Sequence, residues 1–125
     1  MIVMVRVFRI KDTTPTERSG YSARYYADVQ FNKRLDTAGF IFVTIPNNTE
    51  TVPHAHENLE ELFIALSPLS MIVNEIQYDL VPGDLLIVEP NEFHSIKSGK
   101  EGDNNLVAIK CPNLKNDKKI EPPSD

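Results

Sequence analysis

The chain has 125 residues, which is the size of one domain with a buried core. Hydrophobic residues make up 41% and charged residues 25%, as in an ordinary globular protein. The formal net charge is −5, and no basic stripe is interleaved with aromatic residues, so the composition argues against a nucleic-acid partner. No apolar run is long enough for a signal sequence or a membrane span, so we expect a cytoplasmic protein without a membrane partner.

Short apolar runs alternate with turn residues along the chain, and helical periodicity is nearly absent. This pattern favours a closed or nearly closed antiparallel barrel or sandwich. The predicted strands are 1–10, one or two within 21–31, 39–45, 51–56, 59–66, 71–73, 76–80, 85–88, 93–96 and 105–110.

Turn residues separate several of these strands. Asn74-Glu75 fits a two-residue hairpin loop, because Asn tolerates a positive φ. The lone cysteine, Cys111, excludes an intrachain disulfide, and its apolar neighbours predict a buried structural thiol. Residues 112–125 contain three prolines and many charges, so we predict one domain over 1–111 and a loose or docked tail over 112–125.

The three histidines of the chain are spaced as one metal site requires. His54 and His56 lie two residues apart, so on a strand their side chains share a face. His94 follows a turn and can approach from a neighbouring strand. Neutral imidazole and carboxylate bind divalent ions such as Fe, Mn, Ni, Cu and Zn, and the sequence does not choose among them. A single histidine is more often a surface or hydrogen-bonded residue, so the prediction depends on the combination.

The residue pattern alone leaves two candidates for the carboxylate ligand, Glu60 and Glu61. A turn at 57–59 resets the alternation of faces after His56, so strand parity cannot choose between them. Three imidazoles and one carboxylate fill four positions, and an octahedral ion then keeps two for water, substrate or oxygen. The site predicted here is therefore an open one rather than a closed structural one.

The segment 53–94 resembles the cupin superfamily. The first motif of that family is His-x-His, three or four residues and Glu, and here His54-Ala55-His56 is followed by Glu61. The second motif begins with Gly-Asp and ends at a histidine eleven residues on, as Gly83-Asp84 and His94 do. The resemblance favours Glu61 over Glu60 and implies one ligand set: His54, His56, Glu61 and His94.

Three positions depart from the family pattern without removing a ligand. Ser67-Pro68 stands where a hairpin glycine is expected, Asn91 replaces a turn glycine, and Ser98 replaces a frequent asparagine. The resemblance implies an all-β, cupin-like antiparallel β-barrel or jelly roll with the metal near one end of its interior. It also implies a homodimer, and the apolar strand 1–10 would expose an edge unless a partner covers it.

Three functions are compatible with this site, and the sequence identifies no catalytic residue. The first is a divalent-metal-dependent enzyme of the dioxygenase, isomerase or lyase type that acts on a small oxygen-rich organic molecule. The second is a metal-containing binding or sensor module without turnover, and the third, a storage role, would not require intact ligands.

Other residues are candidates for the surroundings of the metal. Arg24, Tyr26 and Phe63 could lie next to its ligands, and surface charge and core packing are the other interpretation of these three. Candidates for a general base near the motif are Glu60, Glu89 and Glu92.

Overall fold

The structure, a computed structural model, describes residues 5–32 and 34–120. These residues form twelve strands and one 3-10 turn at Ile10–Asp12. The strands are β1 (Arg6–Phe8), β2 (Thr16–Arg18), β3 (Tyr21–Ala23), β4 (Gly39–Ile45), β5 (His54–Ala55), β6 (Glu60–Ala65), β7 (Leu69–Val73), β8 (Ile76–Leu80), β9 (Leu85–Val88), β10 (His94–Ser98), β11 (Asn104–Cys111) and β12 (Lys119–Ile120).

Two five-stranded antiparallel sheets face each other, which confirms the all-β jelly-roll prediction. The first sheet has the strand order β1-β9-β6-β11-β4, and the second has the order β12-β5-β10-β7-β8. Strands β2 and β3 form a separate hairpin. Within the described ranges the two sheets do not join into one closed barrel, so the sandwich alternative of the sequence prediction is the one observed.

Strand alternation explains where the core lies. In β6, Phe63 and Ala65 point between the sheets, while Leu62 and Ile64 point to the outside of the first sheet. We call these the inner and the outer face of the first sheet. The inner core joins side chains from both sheets: Ile45, Phe63, Ala65, Leu69, Met71, Val73, Leu80, Leu86, Val88, Ile96, Leu106 and Ala108.

The outer face of the first sheet is covered by the chain itself. Tyr26, Val29, Phe31 and Leu35 pack there against a second apolar cluster that includes Cys111. Because both faces of β6 and β9 are covered, residues 62–65 of β6 and all four residues of β9 are apolar, without the alternation of a strand that has one face in solvent. The prediction of a buried thiol at Cys111 is confirmed, and burial raises its pKa.

The predicted turns are observed. Asn74 and Glu75 have φ of 50° and 70° and connect β7 to β8 as a two-residue hairpin loop. Asn91 has φ of 67°, so it holds the left-handed turn that the glycine of the family pattern would hold. Ser98, at the other departure, donates to the Pro46 carbonyl and accepts from the Thr49 N–H.

Several predicted boundaries are wrong. The structure has a strand only at Arg6–Phe8 within the predicted 1–10, and residues 1–4 lie outside the described ranges. Within 21–31 only Tyr21–Ala23 forms a strand, because the following residues pack across the outer face instead of joining a sheet.

The predicted tail is docked as far as Ile120, since β12 pairs with β5. Among the described residues, no helix is long and apolar enough to cross a membrane.

Candidate metal centre

Two sheets bring the four predicted ligands to one point. His54 on β5 lies directly opposite His94 on β10, so both rings project from neighbouring strands of the second sheet. Glu61 projects from the inner face of the first sheet, on β6. One ligand atom from each of the four residues lies within 4.8 Å of the others. The inner face of β6 carries Glu61, which lies beside His56 and His94, while Glu60 points away and pairs with Arg6.

Contacts among the side chains point to a shared centre. Glu61 Oε1 lies 3.0 Å from His56 Nε2 and 3.3 Å from His94 Nε2. His54 and His94 stack with ring centroids 4.4 Å apart. His56, Glu61 and His94 are buried, and His54 is half-buried, so the cluster opens to solvent on the side of His54.

Backbone carbonyls orient the histidine rings. The Nδ1 atom of His94 lies 3.0 Å from the Glu92 carbonyl, and Nδ1 of His56 contacts the Asp117 carbonyl. His54 Nδ1 lies at the longer distance of 3.5 Å from the Val52 carbonyl. An Nδ1–H that donates to a carbonyl leaves the Nε2 lone pair of a neutral ring free for a metal.

His94 Nε2 provides the test of whether a metal fits. This atom is buried and makes no hydrogen bond to any residue in the described ranges, because Glu61, though 3.3 Å away, is poorly aligned for one. A buried polar atom without a partner is costly, and an ion is one way to satisfy it. Three imidazoles and a carboxylate are donors suited to divalent first-row ions, so the residues fit such an ion.

Electrostatics holds two of the four predicted ligands in the protonation state that a metal would require. Burial, with help from the neighbouring His94 and Lys118, lowers the pKa of His54 to about 4. Burial alone would raise the pKa of Glu61, but its interactions with His56 and His94 outweigh this and lower the pKa to about 2. Near neutral pH His54 is therefore neutral and Glu61 ionised.

The polar neighbours predicted from the sequence are mostly elsewhere. Tyr26 packs on the outer face of the first sheet, and Arg24 donates to the Thr13 carbonyl, so neither lines the cluster. Glu60 and Glu89 both pair with Arg6, at 3.0 Å and 2.9 Å, on that same outer side. Of the predicted neighbours, only Phe63 is at the site, with its ring centroid 5.5 Å from that of His94.

Glu92, the remaining candidate for a general base, holds the turn before His94. Its carboxylate accepts hydrogen bonds from the Glu89 N–H at 2.7 Å and from the Asn74 side chain at 3.0 Å. Both carboxylate oxygens of Glu92 are therefore occupied, one by the backbone of the turn and the other by the hairpin loop that contains Asn74. Glu92 therefore positions His94 through its own carbonyl.

Asp117 was not singled out from the sequence. Its carboxylate accepts hydrogen bonds from the N–H groups of Glu57 and Asn58 at 2.9 Å and 2.6 Å, while its carbonyl contacts His56. The docked tail thus fixes the turn between the histidine pair and β6. No local pattern marks this residue, because the contact joins positions about sixty residues apart in sequence.

Solved structures match this fold, although no protein-family model and no curated protein matches the sequence. A cupin protein from Bacteroides fragilis is 20% identical, covers 65% of this chain and 72% of its own, and has a TM-score of 0.57. A sugar phosphate isomerase of the cupin superfamily from Silicibacter pomeroyi is 13% identical over 62% of this chain and 52% of its own, with a TM-score of 0.56.

A salicylate 1,2-dioxygenase from Pseudaminobacter salicylatoxidans is 17% identical over 60% of this chain, with a TM-score of 0.56. The match spans 21% of the dioxygenase chain, so it concerns one part of that protein. At these identities the likeness defines the fold. The chain therefore has a cupin-type fold, with a cluster of three histidines and a glutamate that could bind a metal ion.

Proposed function

We propose that this protein is a divalent-metal-dependent cupin enzyme that acts on a small oxygen-rich organic molecule. The observation that carries the proposal is the convergence of His54, His56, Glu61 and His94 within 4.8 Å, together with the unpartnered buried Nε2 of His94. An ion held there would polarise a bound substrate oxygen or activate molecular oxygen. Dioxygenase and isomerase proteins among the matching folds support this class without choosing a reaction.

The chain's own residues would hold and orient the ion. Glu92 and Asp117 fix two of the imidazoles through their carbonyls, and Phe63 provides an apolar wall beside His94. Four protein donors would leave two coordination positions of an octahedral ion open, and oxygen atoms of a small molecule are suited to those positions. The enzyme proposal is tested by metal analysis followed by a screen for metal-dependent conversion or oxygen consumption with small carboxylic acids, phenols and sugar phosphates.

A binding or sensor module is the second candidate, because binding and turnover require the same donor set. A metal-loaded protein that binds a small carboxylate or enediol tightly, but converts nothing in a broad screen and consumes no oxygen, would favour this candidate over the enzyme. Metal identity, substrate and reaction type are outcomes of the same experiments.

His56→Ala is expected to lower the metal content of the purified protein well below that of the wild type. The substitution removes one donor and the ring that bridges Glu61 to the docked tail. Even changes in residues that only orient metal ligands cost 10–100-fold in affinity, so loss of a ligand should exceed about tenfold. Elemental analysis checks this, and metal retained at the wild-type ratio would contradict the assignment of His56.

We also propose a homodimer. Strand β1 is an edge of the first sheet, as the sequence predicts, but the more exposed apolar edge is β4, where Phe40 and Phe42 are 72% and 65% exposed. The segment Gly39–Ile45 carries no charge, so two copies of an acidic chain can pair there without opposing like charges.

Sedimentation velocity should show a dimer for the wild type and a monomer for Phe42→Lys, which places a charge in the middle of the proposed contact. Val81→Lys is the matched control, because Val81 is also exposed but lies in the turn before β9. This control should remain dimeric. A monomeric wild type, or a dimeric Phe42→Lys protein, would rule out pairing through β4.

A further inference from the structure

Lys110 lies on the inner face of the first sheet, one strand away from Glu61. In β11, Leu106 and Ala108 belong to the inner core, and by alternation Lys110 points the same way. Its register partner on β6 is Glu61, and its partner on β4 is Gly39. Neighbouring strands lie about 4.8 Å apart, so the lysine stem starts within reach of the metal cluster.

The neighbouring position on β4 has no side chain of its own. A Cβ added at Gly39 would overlap the Asn113 side chain, which therefore occupies the space beside Lys110. The next row of the inner face is apolar and runs across Ile41, Ala108 and Phe63. Ile41, at the end of this row, is 39% exposed, whereas Ala108 and Phe63 are buried in the inner core.

Lys110 has no carboxylate within ion-pairing distance in the described ranges 5–32 and 34–120, although it is half-buried. The acidic groups at this end of the fold are engaged with other partners. Asp117 accepts two backbone N–H groups, and Glu57 lies 3.8 Å from Lys119. A half-buried cation without a partner is suited to an anionic ligand.

We propose that Lys110 anchors the carboxylate of the substrate, an organic acid bound between this lysine and the metal cluster. This inference rests on the proposed function, since it names the class of molecule that the same site would take. The carboxylate binds the Lys110 ammonium, with the Asn113 amide beside it. Lys110 determines specificity for the acid over its uncharged counterparts. The net charge of −5 does not oppose this, because the charges nearest a pocket dominate its field.

The test compares charged and uncharged probes by calorimetry on metal-loaded protein. Benzoate and hexanoate are the acids, and benzamide and hexanamide are their neutral counterparts. The wild type should prefer at least one acid over its amide, and Lys110→Met should weaken binding of that acid by about tenfold or more while leaving the amide unchanged. Lys110→Arg should retain most of the preference, because it keeps the positive charge.

Lys115→Met is the matched control, since it removes the same charge from an exposed position near the end of the chain. It should bind like the wild type. Metal content, measured on every variant, separates the two levels of the proposal. A wild type that holds no metal would overturn the metal-dependent function. Its relative affinity for acids and amides, compared with that of Lys110→Met, would still test whether Lys110 binds a carboxylate. A metal-loaded wild type without any such preference, or an unchanged Lys110→Met protein, would overturn the role of Lys110 alone.

Discussion

Glu61→Gln is expected to weaken metal binding by more than about tenfold, whereas Glu60→Gln is expected to leave it intact. The two glutamates are adjacent, have the same chemistry and are both 4% exposed, so they form a matched pair. They differ in direction, because Glu61 faces the three histidines and Glu60 faces Arg6 and the Asn32 N–H. A neutral amide is a far weaker ligand than a carboxylate for the proposed ion.

The measurement is a titration with Co²⁺ followed by visible absorption, supported by elemental analysis of the proteins as purified. We expect the affinity of Glu61→Gln to fall by more than about tenfold, since losing a ligand should cost more than disturbing an outer contact. Glu60→Gln keeps an oxygen that can accept from Asn32, and Arg6 keeps Glu89 as a partner. Equal metal binding in both variants would refute the assignment of Glu61, and loss in Glu60→Gln alone would reverse it.

Asp84→Asn is expected to destabilise the protein by about 2–4 kcal/mol. The Asp84 carboxylate is fully buried and accepts hydrogen bonds from Arg9 at 2.8 Å, the Ile10 N–H at 3.1 Å and the Val81 N–H at 3.0 Å. It therefore ties the start of the chain to the turn before β9. An amide would place N–H groups against these donors and leave Arg9 without its anion.

The effect of Asp84 depends on pH in a defined direction. Burial acts to raise the pKa of Asp84, but the hydrogen bonds from Val81, Arg9 and Ile10 outweigh it, so the folded-state pKa is lowered. A lowered pKa stabilises the fold above the unfolded value of about 3.9 and loses that contribution as the pH falls through the folded value. The difference between wild type and Asp84→Asn should therefore be full at neutral pH and shrink below about pH 4.

Urea unfolding at several pH values measures this difference. Asp103→Asn is the control, because Asp103 is exposed in the polar loop before β11, so its unfolding midpoint should match the wild type. An Asp84→Asn protein as stable as the wild type at neutral pH would show that the network around Asp84 does not hold the turn.

The class of fold and the grouping of the three histidines with a glutamate could be predicted from the sequence because their signals are local. Two residues that are two positions apart on one strand share a face, which places His54 with His56. A turn such as Asn74-Glu75 can be predicted because few residues tolerate its positive φ. Where a turn interrupts the strand, the alternation of faces no longer predicts which side chains lie together. The residues alone left Glu60 and Glu61 open, the family motif favoured Glu61, and the strand geometry of β6 agrees with the motif.

Only the tertiary structure decided what surrounds the cluster, because strand register and the path of loops depend on contacts far apart in sequence. Arg24 and Tyr26 were expected near the site, but their segment packs across the outer face of the first sheet, where burial of Tyr26 against an apolar cluster is favourable. Lys110 stands beside Glu61 only because β11 pairs with β6 in one register. The sequence by itself determined which residues are candidates for a metal site, because strand alternation and motif spacing are local, and long-range packing determined which cation lies beside them.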